Sequence, residues 1–390
     1  MRLRLTGLSL FISLMLATNP IQGHDVTITQ DGRYYFERTA QTFAVNPGGT
    51  LTIDSPSGSI RIESGTNNEV VVVAEKRISE NDEADAREEF IDIEVSMDQR
   101  GDDVRIQVDG LGRRSYRSMQ IRFTVKVPTP YNLNLDTKEG SIRIGDLQGD
   151  VVAETSGGGI EVGRITGGRV DVTTAGGSIT IREGGEDVQA TTAGGSISVR
   201  RTVGDLSVRT AGGSLDIGPV GGNIRANTAG GSIHLEESGG SVWAKTAGGS
   251  IHVDGSNGPV EVETAGGSIE IENARGAIEA RTAGGYVEAE LVILDAGVDT
   301  HCYLKTAGGD VTIYLPENLA ASIDAEIRIR GNDRWRDDDY PIYSDFDLDM
   351  EDDVDKYRNR ITAQGDINGG GDRIRLNTTN GDIYISKLNR

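Results

Sequence analysis

The sequence predicts an all-β protein, folded as a parallel β-solenoid with about 18 residues and two short strands per coil. A nine-residue unit repeats without interruption over Gly176–Val292, and two kinds of unit alternate. One kind opens Gly-Gly-Ser-Ile, and the other ends Thr-Ala and leads into the next Gly-Gly. Thr-Ala-Gly-Gly therefore recurs once in every pair of units, and once more after a six-residue insertion, beginning at Thr174, Thr192, Thr210, Thr228, Thr246, Thr264, Thr282 and Thr306.

Each unit contains one short strand with a single buried face. The fourth and sixth positions are aliphatic or small, as in Ile197 and Val199, whereas the fifth and seventh are polar, as in Ser198 and Arg200. Side chains two residues apart point to the same side of a strand. One such strand cannot bury its apolar side alone, so we expect successive coils to stack at about 4.8 Å around a thin aliphatic core.

The glycine pairs are expected at the corners between strands, where glycine can adopt positive φ without a steric penalty. The threonines, one in each coil, are expected to form a ladder of stacked hydroxyls and methyls. Gly-rich nonapeptides also form calcium-binding β-rolls, whose unit carries Gly at position four and Asp at position six. Those two positions are aliphatic or small here, so the pattern disfavours a calcium roll.

The segments that flank the repeats are expected to close the open ends of the stack, because a terminal coil has one face without a neighbour. We predict an N-terminal cap region over 24–130, a regular solenoid over 131–315, and a C-terminal cap with an acidic segment over 316–390. Leu51–Ile62 resembles one coil and Ile374–Ile385 resembles half a coil.

The N-terminal region contains the chain's one good helix candidate, Ser79–Phe90, in which Ser79 is expected to act as N-cap before an acidic first turn. Short strands are predicted around this helix at Val70–Ala74, Ile91–Met97, Asp103–Val108 and Gln120–Val127.

Met1–Gly23 has the pattern of a secretory signal peptide, with Arg2 and Arg4 before the apolar run Leu5–Ala17. That run is too short for a stop-transfer helix, so we expect cleavage after Gly23 and no integral membrane segment afterwards. The alternative is a buried N-terminal helix. We expect the mature protein to be exported to the periplasm, the cell surface or the extracellular space.

Composition narrows the classes of partner. The net charge of −22 disfavours a nucleic-acid partner, because the phosphate backbone is also negative. The lone cysteine, Cys302, excludes an intrachain disulfide. The 53 glycines and the 5% aromatic content both fit a narrow core that has little room for rings.

Several segments resemble the bacterial "putative adhesin" family of exported β-strand-repeat proteins, a domain of unknown function. The resemblance lies in Val125–Pro128, Asn132–Thr137, Gly140–Ile144, Ile342–Phe346, Gly369–Gly371 and Thr379–Ile383. It implies a β-solenoid and a role in the cell envelope or at the cell surface, and it carries over no catalytic residues.

Two histidines, His234 and His252, occupy the same position in consecutive coils and should stack on one outer face. Asp216 and Glu270 continue that column, and Glu236 and Asp254 lie beside it as further possible metal ligands. Imidazole with carboxylate can bind zinc or another divalent ion. However, a spacing of about 4.8 Å is wider than chelation prefers. The sequence therefore favours a solvated face, and we predict neither a metal site nor a cofactor.

Trp243 is expected on the outer face of the other strand column, between Arg225 and Glu261. An exposed ring on a flat sheet can stack on a sugar, and the alternative is a ring partly covered by its neighbours.

Three other motifs are weaker. Asp345, Asp347 and Asp349 imitate the start of an EF-hand loop, but Met350 replaces its glycine, so a strand with an acidic outer face is favoured. Arg100–Asp102 matches the tripeptide that animal integrins read, and its glycine also suits a turn. The basic run Arg113, Arg114 and Arg117 is interpreted as an exposed hairpin tip.

These observations favour a non-enzymatic, adhesin-like or envelope-associated scaffold that binds a polysaccharide or protein of the cell envelope or surface. The chain has no zinc-protease, phosphate-loop or nucleophile-elbow motif. The alternatives are a β-helix protein that binds or cleaves polysaccharide, and a self-assembling fibre. The end caps argue against fibres, and we expect a monomer.

Overall fold

The computed structural model describes residues 25–110, 119–292, 297–330, 340–354 and 359–388. The predicted signal peptide, Met1–Gly23, lies outside these ranges. The N-terminal region comprises β1 Asp25–Asp31, β2 Tyr34–Ala44, β3 Thr50–Ser55, β4 Ser59–Thr66, β5 Glu69–Ser79, α1 Glu83–Ile91, β6 Glu94–Arg100, β7 Asp103–Asp109 and β8 Gln120–Pro128.

The remaining described strands are mostly short. They are β9 Asn132–Thr137, β10 Ile142–Ile144, β11 Leu147–Gln148, β12 Val151–Thr155, β13 Ile160–Thr166, β14 Val170–Thr174, β15 Ile179–Glu183, β16 Val188–Thr192, β17 Ile197–Val199, β18 Leu206–Arg209, β19 Leu215–Ile217, β20 Ile224–Asn227, β21 Ile233–Ser238, β22 Val242–Lys245, β23 Ile251–Ser256, β24 Val260–Glu263, β25 Ile269–Ala274, β26 Ile278–Arg281, β27 Val287–Leu291, β28 Cys302–Lys305, β29 Val311–Leu315, β30 Ala321–Arg328, β31 Ile342–Ser344, β32 Asp349–Val354, β33 Asn359–Ile367, β34 Asp372–Thr379 and β35 Ile383–Lys387.

The predicted parallel solenoid is confirmed. Each repeat coil contributes one strand to sheet A, which contains the odd-numbered strands from β15 to β29, and one strand to sheet B, which contains the even-numbered strands from β16 to β28. Ile197 pairs with Ile179 in the coil before it and with Leu215 in the coil after it, so each step between paired residues is one full repeat. The inward side chains of all coils pack into one continuous aliphatic core.

The Gly-Gly pairs lie at the corners, but the expected reason for glycine was wrong. None of the glycines in the Thr-Ala-Gly-Gly motifs has positive φ. Glycine is needed because the coils approach each other closely: a Cβ on Gly195 would lie 2.1 Å from the carbonyl oxygen of Gly177, and a Cβ on Gly213 would lie 2.1 Å from that of Gly195. The backbone leaves no room for a methyl group at the second glycine of each pair.

The threonine column is buried, and its hydroxyls bond to backbone rather than to one another. Thr228 is 2% exposed. Its Oγ1 donates to the carbonyl oxygen of Gly213 in the preceding coil at 2.8 Å and accepts from the N–H of Gly231 at 3.3 Å. The same donor bond recurs at Thr155, Thr174, Thr192, Thr210, Thr246, Thr264, Thr282 and Thr306. Each threonine therefore links two coils at a corner.

The N-terminal end of the stack does not follow chain order. Strands β3 and β4 form a coil, as predicted for Leu51–Ile62, and this coil pairs in parallel with β9 and β10 on one side. On its other side it pairs in parallel with β7 and β8, which come later in the chain. Antiparallel strands β1, β2, β5 and β6 extend this end.

The C-terminal end has the same interleaved order. Strands β34 and β35 form a complete coil rather than the predicted half, because Ile374 pairs with Cys302 and Ile383 pairs with Val311. The earlier strands β30 and β31 pair in parallel on the far side of this coil. Coil stacking thus continues beyond 131–315 at both ends, and the division into caps and regular solenoid remains a prediction.

Helix α1 starts later than expected. Its N-cap is Asp82, whose side chain accepts from the N–H of Asp85 at 3.0 Å, so the assignment of Ser79 as cap was wrong: Ser79 is the last residue of β5. At the other end of the helix, the buried ammonium of Lys76 donates to the carbonyl oxygens of Phe90 at 3.0 Å and Ile93 at 2.6 Å. Lys76 also lies 2.6 Å from the carboxylate of Glu37. The predicted strands around the helix are present, with the one expected at Ile91–Met97 displaced to Glu94–Arg100 because the helix occupies Ile91.

Candidate functional site

The outer faces of the two sheets carry the candidate residues in straight columns, because the strands pair in register. On sheet A, Asp216, His234, His252 and Glu270 are consecutive partners on β19, β21, β23 and β25, as predicted. The imidazole rings of His234 and His252 stack with their centroids 5.2 Å apart and their planes 13° apart. The column is therefore an ordered arrangement of side chains.

Carboxylates surround His252 on both sides of its ring. The Nε2 atom lies 2.7 Å from Oδ1 of Asp254, which is two residues along the same strand. The Nδ1 atom lies 3.1 Å from Oε2 of Glu270 in the next coil. Glu236, the residue equivalent to Asp254 one coil earlier, is exposed. His252 therefore connects two carboxylates from adjacent coils.

On sheet B, Trp243 lies between Arg225 and Glu261, as the spacing predicted. The guanidinium carbon of Arg225 lies 4.0 Å from the centre of the indole ring, a cation–π contact. The ring is half-buried. One face of the indole is thus covered by Arg225, and this geometry leaves less of the ring for a ligand than a fully exposed tryptophan would offer.

Trp243 borders a shallow groove on sheet B with a volume of about 540 Å³, and polar side chains such as Gln189 and Ser207 line it. Asp205 accepts from the N–H of Asn223 at 2.7 Å and from its side-chain amide at 3.1 Å. Asp187 accepts from the N–H of Asp205 at 3.4 Å. Two of the carboxylates in the groove therefore accept hydrogen bonds from the backbone of the next coil, and they link adjacent coils at the N-terminal ends of the sheet B strands.

The sequence analysis did not predict this row of hydrogen-bonded side chains at the N-terminal ends of the sheet B strands. The signal was visible as Asp or Asn at the residue before the strand in three successive coils, at Asp187, Asp205 and Asn223. It was overlooked because these residues lie outside the alternating pattern that marks the strands.

Within the described residues, the acidic segment that imitates an EF-hand loop does not form a site. Asp345, Asp347 and Asp349 are exposed, while Phe346 and Leu348 pack against the core. The expected strand covers only the last of these acidic residues, since β32 begins at Asp349. The backbone over 345–348 is irregular, and the acidic side chains are exposed, although Asp345 accepts a hydrogen bond from the backbone N–H of Lys387 at 2.9 Å.

The tripeptide Arg100–Asp102 forms the turn between β6 and β7, with Gly101 at φ 63°. The carboxylate of Asp102 accepts from the backbone N–H of Asn46 at 2.8 Å, which gives it a structural role. The basic run at Arg113, Arg114 and Arg117 lies outside the described residues.

Cys302 is buried at the start of β28, and burial raises the pKa of its thiol to about 12. In the described part of the chain, no helix is both long and apolar enough to cross a bilayer.

Comparison with known proteins agrees with this architecture. The Toastrack family, DUF4097, matches the chain twice, over residues 49–255 and 186–386. No curated protein matches the sequence. Among solved structures, a "putative cell adhesion protein from Clostridium sporogenes" shares 9% sequence identity, with 90% of this chain and 100% of that chain covered, at a TM-score of 0.17. A TM-score this low carries no argument about function. The overlapping family matches span nearly all the described coils, and the chain belongs to the Toastrack DUF4097 family.

Proposed function

We propose that this chain is an exported, non-enzymatic scaffold that binds a component of the cell envelope or cell surface along the outer face of its solenoid. The observation that carries the proposal is the register of the coils, which places equivalent outward side chains in straight columns. A partner with its own repeat can contact several rungs at once, so weak contacts add up to avidity.

Polysaccharide is the partner class that the sheet B groove supports best. The groove combines an aromatic ring at Trp243 with hydroxyl and amide side chains such as Ser207 and Gln189, and the guanidinium of Arg225 lies at its border. Aromatic rings with a polar rim suit sugars, which have apolar ring faces and hydroxyl edges. An envelope protein is the second partner class.

Binding to isolated envelope fractions and to a glycan array tests this proposal. We expect Trp243→Ala to lower retention at least tenfold, whereas Tyr286→Ala, which removes an exposed aromatic ring outside the groove, leaves it unchanged. Failure of the unmodified protein to bind any polysaccharide, peptidoglycan or envelope protein would refute the proposal.

Polysaccharide cleavage is the alternative, and the groove offers less support for it. Glycosidases need a pair of carboxylates free to handle a proton and to act as nucleophile or base. Asp187 and Asp205 instead accept hydrogen bonds from the backbone of the next coil. Release of reducing ends from a bound polysaccharide by the purified protein would favour cleavage over display.

A further inference from the structure

The histidine column on sheet A brings two imidazoles and a carboxylate together. Within the described residues, His234, His252 and Asp254 each offer one ligand atom, and these atoms all lie within 4.8 Å of one another. The residues come from two adjacent strands, β21 and β23, that are hydrogen-bonded in register. All three are half-buried, so they are shielded more than the free surface yet remain open to an ion from solvent.

The Asp254 carboxylate, next to His252, is placed where it can bind a cation. The Oδ1 atom of Asp254 is out of contact with solvent and forms no hydrogen bond of acceptable geometry, although Nε2 of His252 is only 2.7 Å away. A shielded carboxylate oxygen needs a positive partner, which either a protonated His252 or a bound cation supplies. A cation shared by the imidazole nitrogen and the carboxylate would satisfy both atoms.

Glu270 stands where a supporting carboxylate is needed. Its Oε2 lies 3.1 Å from Nδ1 of His252, so the second ring nitrogen can donate to it while Nε2 faces Asp254. Histidines that bind a metal usually donate their other N–H to a carboxylate or carbonyl, which fixes the tautomer and the ring orientation.

We propose that His234, His252 and Asp254 form a three-ligand zinc site on the outer face of sheet A, with Glu270 positioning His252. Two imidazoles and one carboxylate at bond lengths of about 2.0–2.2 Å are typical zinc ligands, and the fourth position of the tetrahedron is open to solvent. Neighbouring ligand atoms in such a site lie roughly 3.3 Å apart. Zinc binding therefore requires the outward side chains to rotate until ligand atoms that now lie within 4.8 Å of one another reach that distance.

The choice of zinc over a hard cation follows from the nitrogen ligands. Calcium and magnesium prefer sites made of oxygen atoms, whereas imidazole favours zinc and its neighbours in the first transition row. The stacked rings distinguish this part of the acidic surface from the carboxylates around it.

Isothermal titration of Zn²⁺ into the metal-stripped full chain, purified without a polyhistidine tag, tests the proposal. We expect one zinc per chain, at least tenfold weaker binding in His252→Ala, and about tenfold weaker binding in Glu270→Gln. His301→Ala is the matched control. It removes an exposed histidine outside the column, whose Nδ1 lies 2.8 Å from Asp299, and should leave the affinity unchanged.

Zinc X-ray absorption provides a readout that does not depend on affinity. The loaded protein should show imidazole scattering from two rings, and His234→Ala should reduce it to one. No stoichiometric binding, equal loss in His301→Ala, or a spectrum without imidazole would overturn the proposal. The substituted side chains point outward, so circular dichroism should confirm an unchanged fold in each variant. The site is independent of the sheet B groove, and loss of sugar binding would not affect this test.

Discussion

Replacing Gly231 by alanine tests whether close backbone approach, rather than backbone conformation, requires the second glycine of each corner. A Cβ at Gly231 would lie 2.1 Å from the carbonyl oxygen of Gly213 and 2.4 Å from its carbonyl carbon. Ordinary contact begins at 3.4 Å. The two coils would therefore have to separate locally by roughly 1.3 Å, about a quarter of a strand spacing of about 4.8 Å.

That separation would break the contacts that join the coils at this corner. The hydrogen bond from Thr228 Oγ1 to Gly213 is 2.8 Å long, and the bond from the Gly230 N–H to the Ala211 carbonyl is 3.1 Å long. Overpacking of a rigid site costs about 1–3 kcal/mol, and each lost hydrogen bond costs about 1 kcal/mol. We expect Gly231→Ala to lower the free energy of unfolding by about 3 kcal/mol.

Gly255→Ala is the control, because the nearest atom to its added Cβ is a side-chain carbon of Glu237 at 3.5 Å and its φ is not positive. This variant should gain about 0.4–1 kcal/mol, since alanine restricts the unfolded chain. Urea denaturation followed by far-UV circular dichroism measures both, and hydrogen exchange at the neighbouring coils shows whether the loss is local. Equal stability of the two variants, within about 0.5 kcal/mol, would refute the steric explanation.

Three further predictions concern the buried polar groups. Thr228→Val removes a hydroxyl that bridges two coils and should cost about 1–2 kcal/mol, whereas Thr180→Val on the exposed face of β15 should change stability by less than about 0.5 kcal/mol in the same urea assay. Because the raised pKa keeps the thiol protonated, Cys302 should not react with Ellman's reagent at about pH 9 until urea unfolds the protein; rapid labelling of native protein would contradict this. Lys76→Met leaves a carboxylate and two carbonyl oxygens without their buried ammonium and should cost about 3 kcal/mol in thermal or urea unfolding. Arg87→Ala, which removes an exposed ion pair with Glu83 on the helix, should cost less than about 0.5 kcal/mol. Similar losses of stability in Lys76→Met and Arg87→Ala would argue that burial of the ammonium does not cause the larger effect.

Much of the fold could be predicted from the repeat itself. The alternation of apolar and polar residues in a strand such as Ile197–Val199, together with the regular return of the same unit, is sufficient to predict parallel stacking and the order of residues in each outward column. Neighbouring coils in the central stack are also neighbours in sequence, so a local pattern predicts the contacts between them. The positions of His234, His252 and Trp243 on the outer faces follow directly from the repeat period and from the alternation of inward and outward residues.

The two ends of the stack could not be predicted in this way. Residues 50–66 form a coil that is stacked between two coils from later parts of the chain. Residues 372–387 form a coil that is stacked between β28 and β29 on one side and β30 and β31 on the other, all of which come earlier in the chain. The strand sequences there are compatible with several stacking orders, because each presents the same apolar face to the core. The order depends on which segment can cover an open end, and that is a nonlocal property.

The side-chain geometry of the candidate sites could not be predicted from the repeat either. The period places Asp254 near His252, but whether the carboxylate turns toward the imidazole depends on its rotamer and neighbours. The same holds for Arg225, whose guanidinium lies over the ring of Trp243.

The sequence by itself determined that the chain winds into a two-stranded parallel solenoid, because its period and its buried face are local and repeat in every coil. Only the tertiary structure decided the order of the end coils, the steric role of the corner glycines, and the contacts of His252. Those features depend on distances between backbone and side-chain atoms of different coils, and neither period nor hydropathy specifies such distances.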